Sequence, residues 1–102
     1  MTRQELESTL LQVFNKHIDN CHIILINNIN YNVSFRILGY MNDMKKLEIL
    51  LKKDNYLKNI LNPKQDEVIE NTKSFGYLDC NIKTKTPQLF WESLGYLKMY
   101  FC

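Results

Sequence analysis

Two stretches of this 102-residue chain alternate apolar and polar residues with a period of two. In "NVSFRILGY", Val33, Phe35 and Ile37 alternate with Ser34 and Arg36; in "GYLDCNIK", Leu78, Cys80 and Ile82 alternate with Tyr77, Asp79 and Asn81. Successive side chains of a strand point to opposite faces, so each stretch specifies a strand with one buried face. Such a sheet needs a covering layer, and helical patterns stand at both ends of the chain. The expected fold is a small single α+β domain spanning residues 1–102. Its order is a helix, an antiparallel three-stranded meander, one or two short helices, a further strand, and a C-terminal helix packed on the sheet.

The opening helix is marked by Thr2 and Glu5, a T-x-x-E capping box, and is expected over about residues 3–18. Leu6, Leu10, Val13 and Phe14 form its buried stripe. His17 falls on the same side, near the end, where a packed histidine suits a helix C-terminus. Asp19-Asn20 breaks the helix. "HIILI" (22–26) has β-branched residues on both faces and reads as a strand covered on both sides. The turn-rich "NNIN" predicts a hairpin into the first alternating stretch.

Next comes "KKLEILLKKD", in which Leu47, Ile49 and Leu51 alternate with Lys46, Glu48 and Lys52. That alternation predicts the third strand of the meander, followed by a short helix in "NYLKNIL" ending before Pro63. The alternative is one helix from Met44 to about Leu61, capped by Asp43. The polar segment 63–75 is expected to be an exposed helix or a mobile loop. Thr86 caps the last helix, with Pro87 in its first position. There Phe90, Leu94, Leu97 and Phe101 fall into one stripe; Leu89, Tyr96 and Tyr100 form a second, and Trp91 and Cys102 lie on a third side with Gly95 and Lys98.

Composition narrows function mainly by exclusion. The chain has no alanine and two arginines among many Asn, Lys, Ile and Tyr, the habit of an AT-rich genome. Lysine abundance is then partly genomic, and a net charge of +2 is a weak electrostatic footprint for nucleic acid. No apolar run approaches the ~18–20 residues of a membrane span. "MTRQELEST" is polar and leads straight into a helix, so no signal peptide is expected, and the expected location is cytoplasmic. Cys21, Cys80 and Cys102 are odd in number and widely spaced, which predicts reduced, packed thiols.

No nucleophile elbow, phosphate-binding glycine loop or paired-acid motif occurs, so catalytic residues are expected to be absent and the chain to be no enzyme. His17 and Cys21, four apart at a helix end, are the sharpest metal candidates, with Cys80 and Cys102 as further ligands. No C-x-x-C accompanies them, and neither a metal nor another cofactor is expected. Arg36, Lys45, Lys46, Lys52, Lys53, Lys83 and Lys85 are the candidate RNA-binding residues. On one open sheet face, near Tyr31 and Tyr77, they would hold a phosphate backbone; otherwise they form a solvated lysine face that includes Glu48. Trp91, Tyr96, Tyr100 and Cys102 are the candidate partner-binding residues, since the tyrosines and tryptophan exceed what one core stripe needs. Edge packing on the sheet is the alternative use for those rings.

"NDMKKLEILLKK" and "TPQLFWESLGYLK", with Thr86, Pro87 and Gly95, resemble pieces of ankyrin repeats, but the ~33-residue period of such arrays is absent. A second resemblance covers more of the chain. "LESTLLQVFNKHIDNCHIILI" (6–26) resembles the opening helix and first strand of the larger Alu-domain protein of the signal recognition particle. "IKTKTPQLFWESLGYLK" is similar to that family's last strand and helix. Residues 4–62 also resemble the helix–three-strand–helix outline of a small eukaryotic large-subunit ribosomal protein. In such proteins the sheet contacts RNA and the helices contact a partner. The resemblance implies a non-catalytic accessory protein docking on a ribonucleoprotein, a ribosome or a signal-recognition-like particle, with Arg36, Lys46, Lys52, Lys83 and Lys85 on the RNA. The other expectation is a small inhibitor or immunity-type protein of a virus, phage or parasite, acting by protein–protein contact.

Overall fold

A computed structural model of the chain describes residues 2–61, 64–66 and 75–101. Helix α1 (Arg3–Asn15) leads into a hairpin of β1 (His22–Ile29) and β2 (Asn32–Tyr40). Helices α2 (Met41–Lys53) and α3 (Asn55–Leu61) follow, then β3 (Lys64–Asp66), β4 (Phe75–Lys83) and α4 (Pro87–Tyr100). The four strands form one antiparallel sheet in the order β1-β2-β4-β3, so β4 returns from the helices to pair with β2. The α+β class stands, with α4 packed on the sheet.

The two alternating stretches become the paired central strands. Phe35 lies opposite Cys80, Ile37 opposite Leu78, and Val33 opposite Ile82, all facing inward and buried. The helices supply the other side of the core through Leu6, Leu10 and Phe14 of α1, Met44, Leu47 and Leu51 of α2, and Phe90, Leu94 and Leu97 of α4. Phe14 sits at the centre, its ring 6.0 Å from Phe35 and 5.3 Å from Phe101. Thr2 Oγ1 accepts the Glu5 N–H, and Thr86 Oγ1 accepts that of Leu89, so both expected caps are in place. α1 ends at Asn15, short of residue 18, and His17 stands outside it, exposed, with its ring edge-on to Phe101.

Three expectations are corrected. The strand over Leu47, Ile49 and Leu51 is part of α2. Met44, Leu47 and Leu51 are fully buried at helical spacing while Ile49 is 56% exposed, which a strand would have placed beside Leu47. Lys, Leu and Glu are strong helix formers, and Lys52 and Lys53 favour the negative end of the helix dipole. Nor is the stretch one helix: the chain breaks at Asp54, whose carboxylate accepts the Tyr56 and Leu57 N–H groups and so caps α3. Within the polar segment 63–75, Lys64–Asp66 is a strand paired with β4; the expected helix or loop over 67–74 lies outside the described residues.

The third correction concerns β1. Ile23 and Leu25 are buried, but Ile24 is 46% and Ile26 54% exposed, so the strand is covered on one face only. It is also an edge strand. Its free edge is closed at Leu25 by α1: Arg3 Nη2 donates to the Leu25 carbonyl at 2.6 Å, and Glu7 Oε2 accepts the Leu25 N–H at 2.9 Å. Two side chains thus occupy backbone groups that an added strand would use.

The step from β2 to α2 has no loop. Tyr40 ends the strand and Met41 begins the helix, so the chain folds back over the sheet at once. Gly39 and Gly76, paired across β2 and β4, leave room for it. A Cβ on Gly39 would stand 3.0 Å from Met44 Cε, and one on Gly76 2.9 Å from Met41 Sδ. At the hairpin tip Asn30 and Tyr31 have φ of 51° and 63°, the two-residue turn that matches strand twist.

Candidate interaction surface on the open face of the sheet

Because the helices pack on one face of the sheet, the other presents every second residue of β1, β2 and β4. The register arranges them in rows. Ile24, Arg36 and Asp79 form the central row; His22, Leu38 and Tyr77 the next; Tyr40 and Phe75 close one end, and Ile29, Asn32 and Lys83 the other. Ile24, Ile26, Ile29, Tyr31, Tyr40 and Phe75 are all exposed, which makes one apolar border from the hairpin tip along the edge strand and across the sheet's end.

The polar groups at the centre of this face bond to one another. Arg36 makes a two-pronged bond to Asp79, Nε to Oδ1 at 2.7 Å and Nη2 to Oδ2 at 3.0 Å. Its guanidinium also lies 3.9 Å from the centre of the Tyr77 ring. Such a planar fork, paired and stacked, is fixed in orientation. Ser34 donates to Asn81 Oδ1 beside it. Tyr40 and Phe75 stack 5.4 Å apart, 20° from parallel. Between this pair and the start of β1 lies a cleft of about 470 Å³, lined by Asn20, His22, Leu38, Tyr40, Phe75 and the paired glycines.

The residues marked from sequence scatter. Arg36 is at the centre of the open face, and Lys83 at its corner. Lys45, Lys46, Lys52 and Lys53 belong to α2 in the helical layer, so they share no face with Arg36; Lys52 lies 3.6 Å from Glu48. Lys85 sits past the end of β4, before α4. The expected basic sheet face is therefore not assembled, because it relied on Lys46 and Lys52 being in a strand.

Of the aromatic candidates, Tyr96 and Tyr100 are used internally. Tyr96 Oη donates to Asp54 Oδ2 at 2.7 Å with its ring 4.3 Å from that of Tyr56, and Tyr100 Oη donates to the Leu50 carbonyl at 3.3 Å. They lace α4 to α2 and α3, an internal use on the neighbouring helices rather than the expected edge packing on the sheet. Trp91 remains 49% exposed, edge-on to Phe90, and Cys102 lies outside the described residues.

The metal candidates do not converge either. Among the described residues no three His, Cys, Asp or Glu side chains stand close enough to hold an ion. Cys21 and Cys80 are buried thiols; burial pushes both pKa values up, most strongly for Cys80 in the core strand. Among the described residues no helix is long and apolar enough to cross a membrane.

Reasoning from sequence missed Ile24, Leu38, Tyr40 and Phe75 as surface residues. The signal was present: Leu38 and Tyr40 continue the outward parity of Ser34 and Arg36. No protein family, curated protein or solved structure matches the chain.

Proposed function

We propose that this is a non-catalytic binding protein that acts by protein–protein contact through the open face of its sheet. The observation that carries the reading is a sheet face that no described helix covers: exposed Ile, Tyr and Phe around an Arg36–Asp79–Tyr77 centre in which the Arg36 and Asp79 charges are paired. Interface cores are depleted of free charge and enriched in aromatic residues and arginine, and hot spots favour Tyr, Trp and Arg. Tyr31 adds to this. It holds a bulky ring in the left-handed region, where glycine or asparagine fits more easily, and leaves it exposed at the tip.

The test is capture from lysate with the full chain as bait, after nuclease digestion, at rising salt. A protein partner is expected to persist through both, and Tyr40→Ala with Phe75→Ala is expected to weaken it at least ~10-fold. Docking on a ribonucleoprotein is the second reading, favoured by the same rings, because exposed aromatics on a sheet also stack single-stranded bases. In that case nuclease strips the captured material and affinity falls steeply with salt as counterions are released.

A further inference from the structure

Helix α2 segregates its charge. At about 100° per residue, Lys45, Lys46, Lys52 and Lys53 all fall within about 60° of Ile49, the side of the helix opposite the buried Met44, Leu47 and Leu51. The four lysines are exposed, and Ile49 is 56% exposed. They stand as two pairs, one turn before the isoleucine and one turn after it. The acids of α2, Asp43 and Glu48, lie outside this arc. Glu48 reaches Lys52 at the margin, and Lys45, Lys46 and Lys53 have no ion-pair partner among the described residues. An AT-rich genome accounts for many lysines, but not for their gathering around one bare isoleucine.

A second apolar apex stands beside it. Tyr100 Oη bonds to the Leu50 carbonyl and Tyr96 Oη to Asp54, so α4 runs antiparallel to α2 with residue 100 level with residue 50. Met99 and Ile49 each precede one end of the Tyr100–Leu50 bond. Met99 is 78% exposed and, like Ile49, lies opposite the core stripe of its helix. Glu92, on the same outer side of α4, is two turns away, beyond the Asp54 end. The helical layer thus turns two bare aliphatic side chains away from the sheet, with four cations around one of them. A nucleic-acid backbone would use only the cations, and this face offers no ring for a base. An anionic lipid surface uses both: lysine ammonium groups meet the headgroups while apolar side chains enter the headgroup–acyl boundary. We propose that the outer face of α2, with Met99 of α4, docks on an anionic membrane surface. The net charge of +2 is no obstacle, because charges more than ~8 Å apart are largely screened and the lipid responds to the local cluster. The open sheet face then points away from the lipid, free for the protein contact proposed above, and the two contacts stand or fall separately.

The test is co-sedimentation of the full chain with vesicles of phosphatidylcholine alone and of phosphatidylcholine with about 30% phosphatidylserine. Binding is expected on the anionic vesicles only, and should fall steeply as salt rises from about 50 to about 300 mM. Lys45→Gln with Lys46→Gln, or Lys52→Gln with Lys53→Gln, should each lower the partition coefficient at least ~10-fold, at about 5-fold per lysine. Lys83→Gln with Lys85→Gln removes the same charge away from this face and should change it less than about 2-fold. Ile49→Ser and Met99→Ser should each weaken binding with the salt slope unchanged, since they remove apolar burial alone. The residues of the face are exposed, so these variants should keep the thermal midpoint of the parent. A chain that stays in the supernatant with anionic vesicles at low salt overturns the proposal. So does an equal loss on Lys83→Gln with Lys85→Gln, or binding indifferent to both Ile49→Ser and Met99→Ser, which would reduce it to a general attraction for polyanions. Retention of double-stranded RNA through the same lysines, without vesicle binding, would give the face to nucleic acid and overturn it as well.

Discussion

The bond between Tyr96 and Asp54 ties the last helix to the turn between α2 and α3, and it titrates at both ends. The Tyr96 hydroxyl, with the Leu57 and Tyr56 amides, holds the Asp54 carboxyl below the usual carboxylate range, and Asp54 in turn raises the Tyr96 phenol. A lowered acid stabilises the fold above its unfolded pKa, and that contribution disappears as pH falls through the lowered value, below ~4. A raised phenol stabilises below its unfolded pKa, and its contribution disappears as pH rises through the raised value, above ~10. Tyr96→Phe is therefore expected to lower the urea midpoint on the neutral plateau and to flatten both limbs of its pH profile. Tyr56, whose ring packs on Tyr96, provides the control: Tyr56→Phe keeps the Asp54 bond and should keep both limbs. Sequence alone marked Tyr96 and Tyr100 as surplus to a single core stripe. It did not show that two hydroxyls would be satisfied by Asp54 and the Leu50 carbonyl, because both partners lie more than 40 residues away in the chain. The outward positions of β2 and β4 were legible, since parity along a strand is a local property.

At the scale of elements, the paired glycines set how closely α2 approaches the sheet. Met44, the neighbour of Gly39, is fully buried and has nowhere to swing, whereas Met41, the neighbour of Gly76, is only partly covered. Gly39→Ala should therefore destabilise by roughly 1–3 kcal/mol, as overpacked cores do, and Gly76→Ala by less than about 1 kcal/mol. Chemical denaturation of the two variants, with unchanged slope, measures the difference. The same element shows where sequence reading fails. Over "KKLEILLKK" a period of two and a period of 3.6 predict different partners for Leu47: Ile49 under the first, Met44 and Leu51 under the second. Local pattern does not choose. The choice comes from β4, which occupies the place beside β2 that a third meander strand would have taken. The opposite holds for α1 and α4, where Thr2 and Thr86 announce the start and one apolar stripe runs through the helix.

At the scale of the whole molecule, the sheet has one face filled by helices and one open, and its outer edges are β1 and β3. β1 is eight residues long and rich in isoleucine, "HIILINNI", the composition of a segment prone to cross-β stacking. The bonds from Arg3 and Glu7 to Leu25 are where α1 is seen to seal its rim among the described residues. The joint variant Arg3→Ala, Glu7→Ala should unfold close to the midpoint of the parent, since Arg3 is largely solvent-facing and Glu7, though partly covered, lies at the rim of the sheet and outside the core. It should nonetheless form thioflavin-positive aggregate sooner at the same temperature. Unchanged aggregation kinetics would show that the bulge at Leu25–Asn27 protects the strand by itself. Earlier aggregation of the joint variant would make two hydrogen bonds at one residue of the rim a kinetic gate on polymerisation, setting the lifetime of the native chain, a quantity that a measurement of folding free energy would miss altogether.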